Sequence, residues 1–346
     1  MINSLQIIDP TQYDGWDDLI LSYPDYSFFH SSAWARVLSE SYGYTPKYFV
    51  LINKCELLAL IPVMEVNSFL TGRRGVSLPF TDYCDPLIDG SNQFHDLFDH
   101  IIQYGKKCGW KYLELRSFKN LSPFASPSLT YISHTLDLSR NEEQIFSRLR
   151  DSTKRNIKKA AKEGVGVEIS QSLDSVQEFY RLNCITRKDH GLPPQPYYFF
   201  KKVYEHILAN NFGFIVLASF DGKAIAGTVY FHFEEKAVYK YGASDKSFQH
   251  LRANNLVMWE AIRECIRRGC TILSLGRTDL GHEGLLQFKR GWGAKESALH
   301  YYKFDLRINA FVRSRPRVSS VHNQFFRRLP PSLSRWVGVA LYRHFA

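Results

Sequence analysis

A strand, a loop and a helix near the carboxyl end of the chain concentrate side chains that can carry out group transfer. Residues 272–294, ILSLGRTDLGHEGLLQFKRGWGA, begin with an apolar run that predicts a buried strand and continue into a glycine-rich polar loop. The loop brings Arg277, Asp279, His282 and Glu283 close in sequence to Lys289. Strand ends that open into polar loops are where α/β domains place their chemistry. The segment therefore predicts a reactive site at the end of this strand.

Transfer of an acyl group to an amine would use such side chains. The amine must lose a proton, the tetrahedral oxyanion must be stabilised, and the leaving group must be protonated or stabilised. Lys289 offers a fixed positive charge for the oxyanion or for a donor phosphate, and Tyr241 can hand a proton to the leaving oxygen or sulfur. The candidates for accepting the amine proton are Asp279, His282 and Glu283.

Structural roles are the alternatives for these residues. Lys289 fits a solvated helix position, Tyr241 fits packing against the sheet, and Asp279 fits a loop-stabilising ion pair with Arg277. Trp34 fits the wall of a cleft or a core position.

Composition indicates a globular protein of two domains. The chain has 346 residues, with 45% hydrophobic and 23% charged residues. The start MINSLQIIDP lacks the basic and apolar regions of a secretory signal, and no run reaches the ~18 apolar residues of a spanning helix. The six cysteines show no metal-ligand spacing, which favours reduced thiols and no bound metal. We expect a cytoplasmic protein.

The carboxyl-terminal segment carries most of the net positive charge. The chain has a net charge of +10, and residues 306–346 contain eight arginines without lysine or acidic residues. Aromatic residues interleave these arginines, a pattern that suits an anionic membrane surface or a phosphate backbone. A solvated helix packed on the protein body is the alternative. We expect a peripheral contact of this segment with an anionic membrane at the inner face.

The chain repeats one arrangement of elements. Residues 49–66 and 214–233 each predict a hairpin, the second turning at Asp221-Gly222. Each hairpin is followed by an amphipathic helix that stops at a glycine, Gly109 or Gly269, and then by a strand. The offset of about 160 residues indicates a domain duplication rather than a short-period solenoid. Long helices are expected over about 141–163, 174–190 and 196–210, the second with a capping box from Ser175 to Glu178.

This plan predicts an α/β (α+β) fold of tandem duplicated units, each a mixed sheet flanked by helices. The predicted boundaries are 1–130 for the first unit, 131–305 for the second unit with the transfer site, and 306–346 for an arginine-rich aromatic tail.

The sequence resembles the Fem-like branch of the GNAT acyltransferase superfamily, aminoacyltransferases that build peptidoglycan interpeptide bridges. The resemblance covers most of residues 25–305. It rests on four segments in order: FFHSSAWARVL, RDSTKRNIKKAAKEGVGVEI, YKYGASD and GRTDLGHEGLLQFKRGWGA.

The resemblance implies roles for particular residues. A lysine after a phenylalanine lies near the acyl-transfer centre in Fem enzymes, and Phe288-Lys289 match it. Tyr241 and Ser244 match a motif whose tyrosine contacts the acceptor, and Arg187 is the best match to an arginine that binds acceptor phosphates. The tyrosine that the family places one turn later is absent, since Gly191 stands there. The substrate-binding residues are expected to be Arg187, Ser244, Arg277, Phe288, Trp34, Tyr83 and Asp85.

The donor is expected to be aminoacyl-tRNA or acyl-CoA, and no tightly bound cofactor is expected. GNAT enzymes hold the pyrophosphate of coenzyme A on a Q/R-x-x-G-x-G/A loop between strand and helix. Here that junction reads SDKSFQHLRANN, with Arg252 and Asn254 at the two glycine positions. This departure favours the Fem-like donor.

The sequence thus predicts a Fem-like acyltransferase that moves an aminoacyl or acyl group to an amine, less favourably a hydroxyl, of a peptidoglycan or exopolysaccharide precursor. An acyl-CoA-dependent N-acyltransferase is one alternative. A non-catalytic envelope-associated binding protein is the other.

Overall fold

The computed structural model describes residues 4–53, 56–88, 91–117, 125–313, 324 and 326–345. The chain divides into two compact units. The first unit comprises Met1–Tyr131, Ala298–Arg317 and Leu341–Ala346, and the second comprises Ile132–Ser297 and Val318–Ala340. The sequence placed residues 298–305 with the second unit, but residues 301–305 pair with a strand of the first unit, as described next.

The first unit contains two sheets. Its strands are β1 (Ser4–Ile8), β2 (Thr45–Pro46), β3 (Tyr48–Asn53), β4 (Glu56–Ile61), β5 (Met64–Ser68), β6 (Gly72–Val76), β7 (Leu87–Ile88) and β8 (Tyr112–Arg116). One sheet has the order β1-β3-β4-β7, and β8-β6-β5-β2 form the other. Residues Tyr301–Asp305 add to the second of these sheets by pairing antiparallel with β8. The helices are α1 (Trp16–Leu21), α2 (Ser32–Tyr42) and α3 (Ser91–Lys107).

The second unit is built on one mixed sheet. Its strands are β9 (Leu129–Asp137), β10 (Gly166–Ser170), β11 (Gly213–Phe220), β12 (Lys223–Phe233), β13 (Lys236–Ser244), β14 (Ile272–Asp279) and β15 (Lys295–Asp305); a short strand, β16 (Ala310–Phe311), pairs with β15 in the first unit. The order is β10-β11-β12-β13-β14-β9-β15. The predicted hairpin is confirmed: Asp221 and Gly222 have φ angles of 49° and 72°, as the turn between β11 and β12 requires.

The second unit also contains helices, most of which pack on its sheet or on one another. They are α4 (Glu142–Arg148), α5 (Asp151–Lys162), α6 (Leu173–Asp189), α7 (Tyr197–Val203), α8 (Ala253–Arg267), α9 (Glu283–Arg290) and α10 (Pro331–Leu341). The apolar face of α8 packs on β11 and β12 through residues that include Met258, Ile262 and Cys265, and Gly269 follows with a φ of 79°. The predicted amphipathic helix and its glycine stop are therefore confirmed.

Three helix predictions need correction. The helix expected over about 141–163 is two helices, because Leu149 and Arg150 adopt extended backbone and the Arg150 N–H donates to the Gly291 carbonyl at 3.0 Å. The cap of α6 is Ser172, whose side chain accepts from the Ser175 N–H. The helix expected over about 196–210 is α7 followed by a π-helical turn, Tyr204–Leu208.

No helix among the described residues is long and apolar enough to cross a bilayer.

Candidate functional site

The strands β13 and β14 of the second unit pair and then part. They run parallel and pair from Lys236 with Ile272 to Val238 with Ser274. Both strands continue, β13 to Ser244 and β14 to Asp279, without further pairing to each other over these fully described segments. The backbone groups on the facing edges beyond that point need other partners, because buried N–H and C=O groups are costly to leave unpaired.

Lys289 lies against this part of β14. It lies in the last turn of α9 and is only 3% exposed. Its Nζ donates to the carbonyl oxygens of Gly276 at 3.0 Å and Arg277 at 3.2 Å, both on the parted end of β14. The lysine is therefore a buried cation at the strand end that the sequence singled out, and the alternative of a solvated helix lysine is wrong.

A histidine and a carboxylate adjoin this cation. His134 on β9 is fully buried, and its Nε2 lies 3.0 Å from Glu296 Oε1 on β15. Burial and the nearby Lys289 ammonium lower the pKa of His134 below its usual value, against the opposing effect of the hydrogen bond that its Nε2–H donates to Glu296. The imidazole is therefore neutral near pH 7, and its Nδ1 has no hydrogen-bond partner among the described residues. Glu296 is held in turn by Arg290, at 2.7 Å and 3.2 Å.

Tyr241 lies on β13 and packs against two phenylalanine rings of α7. Its ring contacts Phe200 edge-on at a centroid distance of 5.5 Å and Phe199 at 6.1 Å, and the Lys240 ammonium lies 5.1 Å from its centroid. The side chain is half-buried. These contacts fix the ring, so the packing role that was the alternative for Tyr241 is present.

Ser244 joins the end of β13 to two helices. Its N–H donates to Thr186 Oγ1 at 2.9 Å, and its carbonyl accepts from the same hydroxyl at 3.0 Å. Its own hydroxyl accepts from Asn254 Nδ2 at 3.3 Å. Arg187 follows Thr186 on α6, and its Nε donates to the Pro193 carbonyl at 3.3 Å. The end of β13 at Ser244 is thus held by hydrogen bonds to Thr186, the residue before Arg187 on α6.

A cavity of about 510 Å³ opens at this end of β13. It is lined by the start of α5, the strand end at Ser244, the first turn of α8 and one side of α9. Its lining includes Arg150, Ser244, Arg252, Asn254 and Phe288. Of the residues predicted for substrate binding, Ser244 and Phe288 meet here.

The cavity is held together by the contact between α5 and the end of α9. Besides the Arg150 to Gly291 hydrogen bond, a Cβ at Gly291 would lie 2.6 Å from Thr153 Oγ1, so only glycine allows this approach. Thr153 belongs to the buried face of α5, with Ile157 and Ala160. This contact fixes the start of α5, where Arg150, the residue that precedes the helix, lines the cavity.

The candidate proton acceptors of the loop are exposed. Asp279, His282 and Glu283 all face solvent, and the Asp279 carbonyl accepts from the His282 N–H at 3.0 Å. The Asp279 carboxylate forms no ion pair with any described residue, so the expected alternative, a pair with Arg277, is not seen.

The residues predicted for substrate binding in the first unit have different surroundings. Trp34 is fully buried between Phe28 and Phe29, so the prediction that it contacts substrate is corrected to a core role. Tyr83 is half-buried with its ring against Phe29 at 5.5 Å. Asp85 Oδ1 accepts from the Ser117 hydroxyl at 2.7 Å.

Sequence reasoning missed His134 and Glu296. His134 lies 162 residues from Glu296, and only the adjacency of β9 and β15 brings the two together. The one local signal is a histidine within an otherwise apolar and hydroxyl-bearing strand.

Comparisons with known proteins fit this geometry. Residues 147–290 match the acetyltransferase (GNAT) domain family. No curated protein matches the chain in sequence. Among solved structures the chain is similar to FemX, with a TM-score of 0.69 and 13% identity over 86% of this chain and 96% of that one.

Two further structures are similar. One is a tandem GNAT protein from the clavulanic acid biosynthesis pathway, with a TM-score of 0.57 and 7% identity over 88% of this chain and 99% of that one. The other is the C-terminal domain (DUF2156) of a putative lysylphosphatidylglycerol synthetase from Agrobacterium fabrum, with a TM-score of 0.55 and 13% identity over 85% and 90%.

The family match over residues 147–290 confirms the predicted acyltransferase class. The similar structures confirm the predicted duplicated α/β fold. At 7–13% identity these structures show a shared fold, and their substrates are not assigned to this chain.

Proposed function

We propose that the second unit transfers an acyl or aminoacyl group from a phosphate-bearing donor to an amine of a cell-envelope precursor. The observation that carries the proposal is the cavity of about 510 Å³ whose wall includes Phe288, the neighbour of the buried Lys289. The same helix, α9, thus contributes one side of a binding volume through Phe288 and a buried charge through Lys289.

The lining of the cavity suits a phosphate. Arg150 and Arg252 border it, and so do the first residues of α8, a helix of 15 residues. The first N–H groups of a helix lack intrahelical acceptors and carry partial positive charge, so this end adds to the attraction of the two guanidinium groups. Arg252 adopts a φ of 61°, the left-handed conformation usually taken by glycine. An arginine side chain thus stands where a GNAT phosphate loop has a glycine.

This chemistry is shared by two donors, the pyrophosphate of acyl-CoA and the terminal phosphodiesters of aminoacyl-tRNA. The GNAT family match favours the first as the alternative function, an acyl-CoA-dependent N-acyltransferase. The missing glycines at 252 and 254 and the likeness to FemX favour the second.

In the transfer step, the amine nitrogen attacks the donor carbonyl carbon and forms a C–N bond, while the C–O or C–S bond to the donor breaks. The Lys289 ammonium, already oriented by two backbone carbonyls, stabilises the oxyanion. The amine proton passes to Asp279, His282 or Glu283, which are exposed. Tyr241, whose hydroxyl is buried in the free protein, is the proposed proton donor to the leaving atom and is reprotonated when the product leaves.

The acceptor is proposed from similarity. The resemblance to Fem enzymes and the likeness to a lysylphosphatidylglycerol synthetase domain both concern aminoacyl transfer to envelope components. Arg187 is the proposed partner of an acceptor phosphate, while Tyr83 and Asp85 stay candidates for acceptor contact in the first unit. We also propose the expected contact of residues 306–346 with an anionic membrane, which does not depend on the transfer reaction.

The test offers the purified chain two donors in parallel, charged tRNAs and acyl-CoAs, each with lipid-linked and soluble envelope precursors. Mass spectrometry then looks for the mass increase of one acyl group on the acceptor, and Lys289→Ala serves as the inactive control. Product from tRNA supports the Fem-like reaction, and product from acyl-CoA supports the alternative. A folded chain that yields no product from either donor overturns the enzymatic proposal and leaves a binding role.

A further inference from the structure

The helix α10 (Pro331–Leu341) packs inward through its small residues. Ser334 and Gly338, four residues apart, are its buried residues. A Cβ at Gly338 would collide with the carbonyl oxygen of Pro194, so the helix backbone rests directly on the loop after α6. A surface helix usually buries its apolar stripe, and this one does not.

The apolar side of α10 faces solvent. Leu333, Trp336 and Val339 follow one another at three-residue spacing and are 48%, 73% and 53% exposed. At about 100° per residue, Trp336 points opposite the midpoint of Ser334 and Gly338. A large indole directed into water along with two aliphatic side chains is an unusual arrangement that marks an interaction surface.

Positive charge surrounds this face. Arg327, Arg328 and Arg335 are exposed, and residues 306–346 contain no acidic side chain. Arg327 Nε donates to the Asp189 carbonyl at 3.1 Å, whereas neither Arg328 nor Arg335 pairs with a carboxylate of the described residues. A partner of this surface must therefore be apolar in its interior and anionic at its edge.

We propose that α10 docks the protein on an anionic phospholipid bilayer, with Trp336 in the headgroup layer and Leu333 and Val339 against the acyl boundary. A helix with an apolar face and a basic rim binds the interface in this orientation. A second copy of the chain fits less well, because three side chains on an 11-residue helix offer far less than the ~800 Å² per partner of a stable interface.

The docked helix would lie next to a predicted acceptor residue. The loop under Gly338 includes Pro193, whose carbonyl accepts from Arg187 Nε at 3.3 Å. If the acceptor is lipid-linked, docking would bring it close to Arg187, and this link between docking and transfer rests on the proposed function. The docking itself does not, since it requires binding alone.

Vesicle flotation of the full chain tests the proposal. We expect binding to vesicles of phosphatidylglycerol and phosphatidylcholine in equal parts, at least tenfold weaker binding to phosphatidylcholine alone, and weakening as salt screens the charges. Trp336→Ser should reduce binding at least tenfold, and Arg328→Gln and Arg335→Gln about fivefold each. Ile308→Ser, which removes another exposed apolar side chain of residues 306–346, is the matched control and should bind normally.

A second measurement covers the case of a variant that unfolds. Brominated lipid should quench the fluorescence of the native protein, and the quenched component should vanish in Trp336→Phe, which keeps an aromatic ring at that position. Vesicle binding that is absent, or equal in Trp336→Ser and the native chain at matched unfolding temperature, would overturn the proposal. Self-association that is lost in Trp336→Ser, without vesicle binding, would assign the face to a second copy.

Discussion

The Lys289 ammonium lies 3.0 Å from the carbonyl oxygen of Gly276, on the part of β14 that has separated from β13. One side chain thereby combines two functions in the second unit. It satisfies two backbone oxygens of β14, and it places a positive charge at the parted strand ends. The first function predicts an effect on stability, and the second predicts an effect on catalysis.

Lys289→Met should lower the free energy of unfolding by about 1–3 kcal/mol, because it leaves two buried carbonyls without their donor. Urea unfolding at pH 7 measures the change. Lys295→Met, which replaces an exposed lysine at the start of β15, should leave stability within experimental error. Equal midpoints for the two variants would show that the Lys289 hydrogen bonds do not stabilise the fold.

Tyr241→Phe should keep the fold, since the ring contacts with Phe199 and Phe200 survive. If the phenol protonates the leaving group, kcat should fall at least ~100-fold with little change in acceptor KM. Single-turnover assays measure it, with Tyr198→Phe at a half-exposed position as control. A kcat like that of the native chain would restrict Tyr241 to packing.

Arg252→Gly should weaken donor binding about tenfold, because it removes a guanidinium from the cavity while glycine accepts the φ of 61° without strain. Calorimetric titration with the donor that gives product measures the Kd. Arg155→Ala, on an exposed position of α5 outside the cavity lining, is the control. An unchanged Kd would place the donor phosphate elsewhere.

The second unit should lose stability as the pH falls below about 6.5. Burial and the charge of Arg268, which lies 3.2 Å from the imidazole, lower the pKa of His232 to about 4. Between pH 6.5 and 4, His232 is protonated in the unfolded chain but still neutral in the folded chain. As the pH falls through this range, the free energy of unfolding therefore decreases by at most about 1.4 kcal/mol per pH unit from this group. The stability contribution of the neutral His232 is fully present above the pKa of the unfolded chain and is lost as the pH falls toward the pKa of the folded chain.

Urea unfolding at pH 7 and pH 5 checks the sign. His232→Gln should show a smaller loss between the two pH values than the native chain, and His250→Gln at an exposed position should match the native chain. A native pH dependence in His232→Gln would contradict the assignment.

Local patterns predicted the elements that local physics determines. The Asp221-Gly222 hairpin and the α8 helix with its stop at Gly269 follow from turn chemistry and helical spacing, and both are present. The site segment 272–294 was also identified, as a strand that ends in a polar loop.

What the sequence could not supply depends on contacts between distant segments. The break between α4 and α5 arises from the hydrogen bond to Gly291, and the separation of β13 from β14 is a property of the whole sheet. The aromatic side chain of Trp34 and its position in the sequence are compatible with a cleft wall. Only the packing of the first unit shows that it is buried. Neither helical nor strand periodicity encodes these relationships.

The most direct test of the account is the turnover of Lys289→Met under conditions where the native chain forms product. We predict a kcat at least ~100-fold below that of the native chain, with Lys295→Met unaffected and both variants folded at the assay temperature. A folded Lys289→Met variant that turns over at the native rate would contradict the claim that this cation serves the transfer step.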